Sequence, residues 1–235
     1  MKFCITLVTL FFLFVFPING AQSQSYEVDV AMVLAVDVSS SVSEEHWELQ
    51  REGLANAIES NEFFNSVRSG FEGKVAIAVV EWSSSSYLVI NWTVVESRND
   101  LQQLAIKIRA LNRVENLGTC MAKALLKSAQ LLEQWDGRAI KRLIDISGDG
   151  ANDCPNYSSN TDIGNVITTI RNNIINQNIT INGLPIIGSI EPNVDEYYAN
   201  FVIGGPGAFM LVAETVEQFE AIMKKKLVIE VSSLN

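Results

Sequence analysis

The segment AVDVSSSVSEEHW, residues 35–47, ends an apolar run on an acid and sets two serines behind it at alternate positions: Asp37, Ser39 and Ser41. Two later segments carry the same kinds of oxygen. LGTCMAKAL, residues 117–125, holds Thr119, and SGDGAND, residues 147–153, holds Asp149. Hydroxyl and carboxylate oxygens are hard ligands, and a set with few full charges suits magnesium in octahedral geometry, with manganese as the alternative. Glu81, in VVEWSS, ends an apolar run as Asp37 does, and Asp153 lies in the third segment, so both are candidates to stand behind such a site. A nucleophile is harder to build. The chain has one histidine, His46, at the start of a helical segment, and no Gly-x-Ser-x-Gly elbow to pair with it. Neither a Gly-x-Gly-x-x-Gly turn nor a Walker-type loop is present to hold a nucleotide. No residue is therefore read as catalytic.

These residues can meet only if the elements between them bring them together. Apolar runs rich in Val and Ile occur at Val30–Val36, Val75–Trp82, Tyr87–Ile90, Ile140–Ile146, Ile179–Ile187 and Phe209–Val212. Most are continuous rather than alternating, as strands covered on both faces should be. Between them Leu101, Leu104, Ala105, Ile108 and Leu111 keep helical spacing, as do Ile163, Val166, Ile167, Ile170 and Ile174, and Val216, Phe219, Ile222 and Met223. The alternation predicts an α/β fold, a doubly wound, mostly parallel sheet with helices on both faces. Four serines between Trp82 and Tyr87 leave no room for a crossover, so Tyr87–Ile90 is expected as one antiparallel edge strand. In such a sheet sites lie beyond the carboxyl ends of the strands. Asp37 and Asp149 follow strands directly. A helix opening at Thr119 runs back against the strands, so its start falls at the same end.

Composition sets the setting. Residues 1–21 read as a secretory signal, with Lys2, an apolar stretch from Ile5 to Phe16, then Pro17, Gly20 and Ala21. The remaining 22–235 is expected to form one domain, secreted or periplasmic, with no membrane span. A net charge of −10 over 235 residues argues against nucleic acid or an anionic membrane as partner. Once Cys4 leaves with the signal, Cys120 and Cys154 remain, and an oxidising compartment favours a bridge between them over two free thiols. Sequons stand at Asn91, Asn156 and Asn178.

Asp37-x-Ser39-x-Ser41, Thr119 and Asp149 together resemble the metal-ion-dependent adhesion site of von Willebrand factor type A domains. The resemblance implies that Ser39 and Ser41 bind a magnesium ion directly, Thr119 directly or through water, and Asp37 and Asp149 largely through water. It also implies a coordination position left for an acidic side chain of a partner protein. AIAVVEWS, DISGDGAND, TINGLPI, YYANFVIGGPGAF and KKKLVIE further resemble a small secreted bacterial family of von Willebrand A-like proteins, which lends fold but no ligand. Two other readings compete. GDGAND resembles the acidic motif of haloacid dehalogenase-type phosphatases, with Asp37 as nucleophile, but position 39 is Ser where that chemistry needs a second acid. A structural secreted domain with an empty site is the other.

Several residues also have simpler roles. Ser43 is expected to cap the helix that begins SEEHWELQ, with acids in its first turn. Thr119 has a capping alternative and Asp149 a turn-forming one. Asp145, inside an apolar strand, requires a partner. Trp47 is expected in the core, and GGPGAF is expected as a turn at the opposite end of the sheet.

Overall fold

A computed structural model describes residues 27–114, 117–154, 163–188 and 191–232. The signal segment and the sequon at Asn156 lie outside these residues. The sheet has five strands: β1 (Glu27–Asp37), β2 (Val75–Trp82), β3 (Ser86–Val95), β4 (Arg138–Gly148) and β5 (Ile179–Pro185), in the order β3-β2-β1-β4-β5. β1 pairs in parallel with β2 and β4, and β4 with β5, while β3 runs antiparallel to β2 at the edge. The expected α/β class and edge strand are both present.

Period-two alternation along β1 builds two cores. Met32, Leu34 and Val36 face the layer of α1 (Glu44–Glu59), α2 (Asn61–Arg68), α3 (Arg98–Arg109) and α7 (Phe219–Ser232). Ala31, Val33 and Ala35 face α4 (Met121–Gln134) and α5 (Ile163–Ile175). The alanines on the second face meet Ala122, Ala124 and Ala129 of α4, small residues that let helix and sheet approach closely. A short α6 (Val194–Tyr197) and a π-turn over Tyr198–Val202 close this side.

Local chemistry starts the helices where the pattern requires. Ser43 Oγ accepts from the His46 N–H at 3.1 Å, the expected cap of α1. Ser97 and Asp100 form a reciprocal capping box at α3.

The sixth run, Phe209–Val212, does not become a strand. The chain there touches β5 only at isolated bridges, Gly183 with Met210 and Ile186 with Ala213, after an antiparallel bridge between Ile181 and Gly204. Gly205 and Gly207 both hold left-handed backbone around Pro206, which reverses the chain before a ladder can lengthen. Thr180 donates to the Pro206 carbonyl, so GGPGAF sits near the start of β5, away from the strand ends that carry the acids.

Asp145 has its partner. Lys226 of α7 lies 2.6 Å from Asp145 and 2.5 Å from Glu230, all three fully buried, and Asn182 donates to Glu230 at 2.8 Å.

Candidate functional site

β1 connects to β2 on one side and lies beside β4 on the other, so the winding reverses between β1 and β4. Asp37 closes β1 there. The alternation of Ala31, Val33 and Ala35 puts it on the α4 face, beside its cross-strand partner Trp82. Its Oδ1 accepts from the Ser39 N–H at 2.8 Å, which turns the chain out of the strand. Its Oδ2 is buried with no partner. A side chain at position 148 is incompatible with this arrangement, since a Cβ on Gly148 lies 2.7 Å from that oxygen and 3.0 Å from the Trp82 ring.

The serines continue from Asp37 toward the neighbouring loop. Ser39 Oγ and Ser41 Oγ are 3.0 Å apart, and Ser41 donates to Asp149 Oδ1 at 2.6 Å. One run of oxygens thus spans the loop after β1 and the loop after β4. Burial, and second to it the charge of Asp149, pushes Asp37 up to about 7. A buried carboxyl with one orphaned oxygen, a second acid near it and two hydroxyls between them is a donor set that fits a hard divalent cation. Among the described residues no cluster of three or more His, Cys, Asp or Glu forms a metal site.

Thr119 joins from α4. The helix begins at Met121, two residues later than expected, and its cap residue, Cys120, gives no side-chain hydrogen bond to the helix start. Asn152 caps it instead, its Oδ1 accepting the Ala122 N–H at 2.9 Å from the loop after β4. The Asp153 N–H donates to the Thr119 carbonyl at 2.5 Å. A Cβ on Gly150 lies 3.5 Å from Thr119 Cγ2, so the threonine side chain stands against the residue after Asp149. Cys120 and Cys154 are bridged, with Cα atoms 4.8 Å apart, and both are buried. The bridge stands beside the Asn152 cap and the Asp153 bond as a third tie between the same two segments.

The two outlying acids fall differently. Asp153 has an exposed side chain and holds Thr119 through its backbone. Glu81 pairs with Val36 rather than Asp37, and so faces the α1 layer. Its oxygens accept from Trp47 Nε1 at 3.2 Å and the Val114 N–H at 3.3 Å, and burial is the main cause raising it above the ordinary carboxylate range. Trp47 is buried, as expected, but with Val38 and Val42 in a small cluster under the serine loop.

Arg113 is the residue that sequence reasoning missed. Its Nη2 donates to the carbonyls of Val38 at 3.1 Å, Ser39 at 3.0 Å and Val42, and its Nη1 meets Glu44 at 3.2 Å. One guanidinium thereby gathers three carbonyls of the serine loop. Its only signal in the sequence is a cation between apolar Leu111 and Val114.

Beside Ser41 and Asp149 lies a cleft of about 90 Å³, walled also by His46, Ile186, Ile187, Gly188 and Val216. His46 contributes its backbone N–H to the cap of α1 and lines this cleft.

Residues 27–235 match the family described as "Protein of unknown function (DUF1194)". No curated protein matches the chain. Solved structures do. The von Willebrand factor domain of the type V pili tip protein Mfa5 from Porphyromonas gingivalis is 13% identical, with a TM-score of 0.61 over 88% of this chain and 97% of that one. A von Willebrand factor type A protein from Catenulispora acidiphila is 12% identical, with a TM-score of 0.55 over 87% of this chain and 43% of that one. Proximal thread matrix protein 1 from the mussel byssus, in a form with a zinc-occupied MIDAS motif, is 13% identical, with a TM-score of 0.58 over 88% and 49%. The chain spans less than half the length of the last two. The fold is that of von Willebrand A domains, and none of these neighbours is a phosphatase.

Proposed function

We propose that this chain, which belongs to the DUF1194 family, is a protein-recognition domain that works outside the cytoplasm and holds a magnesium-type ion between the loops after β1 and β4. The observation that carries the reading is the buried Asp37 carboxyl, its Oδ2 without a partner, at the head of the Ser39–Ser41–Asp149 run of oxygens. Ser39, Ser41 and Thr119 would hold the ion directly, and Asp37 and Asp149 from behind, through water. When bound, the ion supplies an electrophilic position that takes a carboxylate from a partner protein. The chain's own residues do the rest. Asp37 Oδ1 fixes the turn that presents Ser39, Asp149 orients Ser41, and Arg113 holds the loop through its carbonyls.

The likeness to von Willebrand A domains supports this reading, and so does the zinc in the adhesion motif of the mussel neighbour. Pilus-tip placement of another neighbour favours a role in adhesion at a surface. Among the described residues no helix is long and apolar enough to cross a membrane. The phosphatase reading gains nothing, since Ser39 lacks the proton-transfer chemistry of a carboxyl and its hydroxyl lies against that of Ser41.

Calorimetric titration of magnesium and manganese into metal-stripped protein tests the site. Saturable binding is expected, lost in the Ser39→Ala/Ser41→Ala and Asp149→Ala variants, and a chelator should release any partner captured in its presence. Absence of binding in the wild-type protein leaves the purely structural domain as the better account.

A further inference from the structure

We propose that the cleft next to the ion reads the residue adjacent to the partner's carboxylate, and that this residue is a single branched aliphatic. The inference rests on the metal-dependent reading above and narrows its partner. Ser41 and Asp149 belong to both the ion's run of oxygens and the cleft lining, so a carboxylate held at the one sets its neighbour into the other. The far wall is aliphatic: Ile186, Ile187 and Val216.

That wall is built before any ligand arrives. Ile186 donates to the Gly148 carbonyl at 3.0 Å and Ile187 to the Ala213 carbonyl at 2.8 Å, while Ala213 donates back to Pro185 at 3.0 Å. The opposite rim is fixed too, since His46 lies in the first turn of α1 under the Ser43 cap. A cleft of only about 90 Å³ suits one compact aliphatic side chain better than an indole. Charge narrows the choice further. Asp149 is the one carboxylate among the described lining residues, which disfavours an acidic neighbour. A neutral, branched apolar side chain satisfies both walls.

The test uses blocked dipeptides with the full chain, isotope-labelled on Ile and Val methyls and saturated with magnesium, and follows methyl shifts by NMR. Ac-Val-Asp-NH2, Ac-Gly-Asp-NH2, Ac-Trp-Asp-NH2 and Ac-Val-Asn-NH2 are the probes. Ac-Val-Asp-NH2 is expected to bind roughly tenfold more tightly than the glycine peptide, as burial of one such side chain implies. It should shift the methyls of Ile186, Ile187 and Val216, and the asparagine peptide should not bind. Ile187→Ser should bring the ratio of valine-peptide to glycine-peptide affinity close to one, a ratio in which any general loss of stability or affinity from this partly buried side chain cancels. Equal affinities for the valine, glycine and tryptophan peptides overturn the inference and leave the metal-dependent reading standing. Loss of magnesium binding in the titration itself overturns both.

Discussion

At the scale of single residues, the site depends on which way a few oxygens point. Three carbonyls of the serine loop turn toward Arg113, which leaves the Ser39 and Ser41 hydroxyls turned toward each other and Asp149. Arginine suits this position because its planar fork makes several bonds in fixed geometry, which an ammonium cannot do. Arg113→Ala is therefore expected to weaken magnesium binding about tenfold or more, because charge-assisted bonds of this kind are each worth about 1.5–3 kcal/mol and part of that order goes into holding the loop. Arg113→Lys should recover little of it. Calorimetry of the two variants beside wild type checks this, and unchanged affinity in Arg113→Ala means that the loop keeps its shape without the guanidinium. Asp37, Ser39, Ser41, Thr119 and Asp149 stand out in the sequence as candidates because each follows a readable strand or precedes a readable helix. Arg113 could not, because it acts on backbone carbonyls far away in the chain, and carbonyls carry no sequence signature.

At the scale of elements, the legible parts are those set by local pattern. β1 and β2 are nearly continuous apolar runs, β4 is apolar and buried in its second half, and the Ser43 cap and the acids after it announce α1. What failed was set by tertiary contact. The start of α4 moved because its cap comes from Asn152, a loop away, and Phe209–Val212 stayed irregular because the left-handed glycines before it let the chain meet β5 only at points. Glu81 was legible as an acid at a strand end, but not the face it takes, which follows from its register against Val36. The loop after β4 and the head of α4 thus behave as one unit, joined by Asn152, by Asp153 and by the bridge. Cys120 and Cys154 are separated by 34 residues, and closing a loop of that length constrains the unfolded chain by about 3–4 kcal/mol. Cys120→Ser/Cys154→Ser should lose stability of that order in urea unfolding. Its magnesium affinity should fall as well, since Thr119 and Asp149 are then tied only by hydrogen bonds. A variant that loses stability but binds magnesium as before would confine the bridge to a structural role.

At the scale of the whole molecule, the sheet separates the candidate site from a second group of charges. Asp145, Lys226 and Glu230 are buried between β4 and α7, on the opposite face of the sheet from Asp37. Two acids share one ammonium there, and burial with the charge of Asp145 pushes Glu230 up to about 7, against the pull of Lys226 and Asn182. Lys141 adds a further cation near Glu230. Between the ordinary value of 4.5 and about 7 the folded protein keeps a proton that the unfolded chain has released. The contribution to stability is therefore complete below the lower value and is lost as pH rises through the upper one. Glu230→Gln keeps an amide in place of the carboxyl but removes the titration. Denaturant midpoints measured with saturating magnesium, which keeps the Asp37 environment the same in both proteins, should fall from about pH 5 to about pH 8 in the wild type. The variant should show a visibly shallower fall. Parallel profiles would place the pH dependence in another group that titrates in this range, Asp37 first. A shallower profile with unchanged magnesium affinity would show that α7 is anchored to the sheet independently of the site at the strand ends. If affinity changed with the anchor, the two faces would be coupled through β4, which carries Asp145 in its length and Asp149 just past its end.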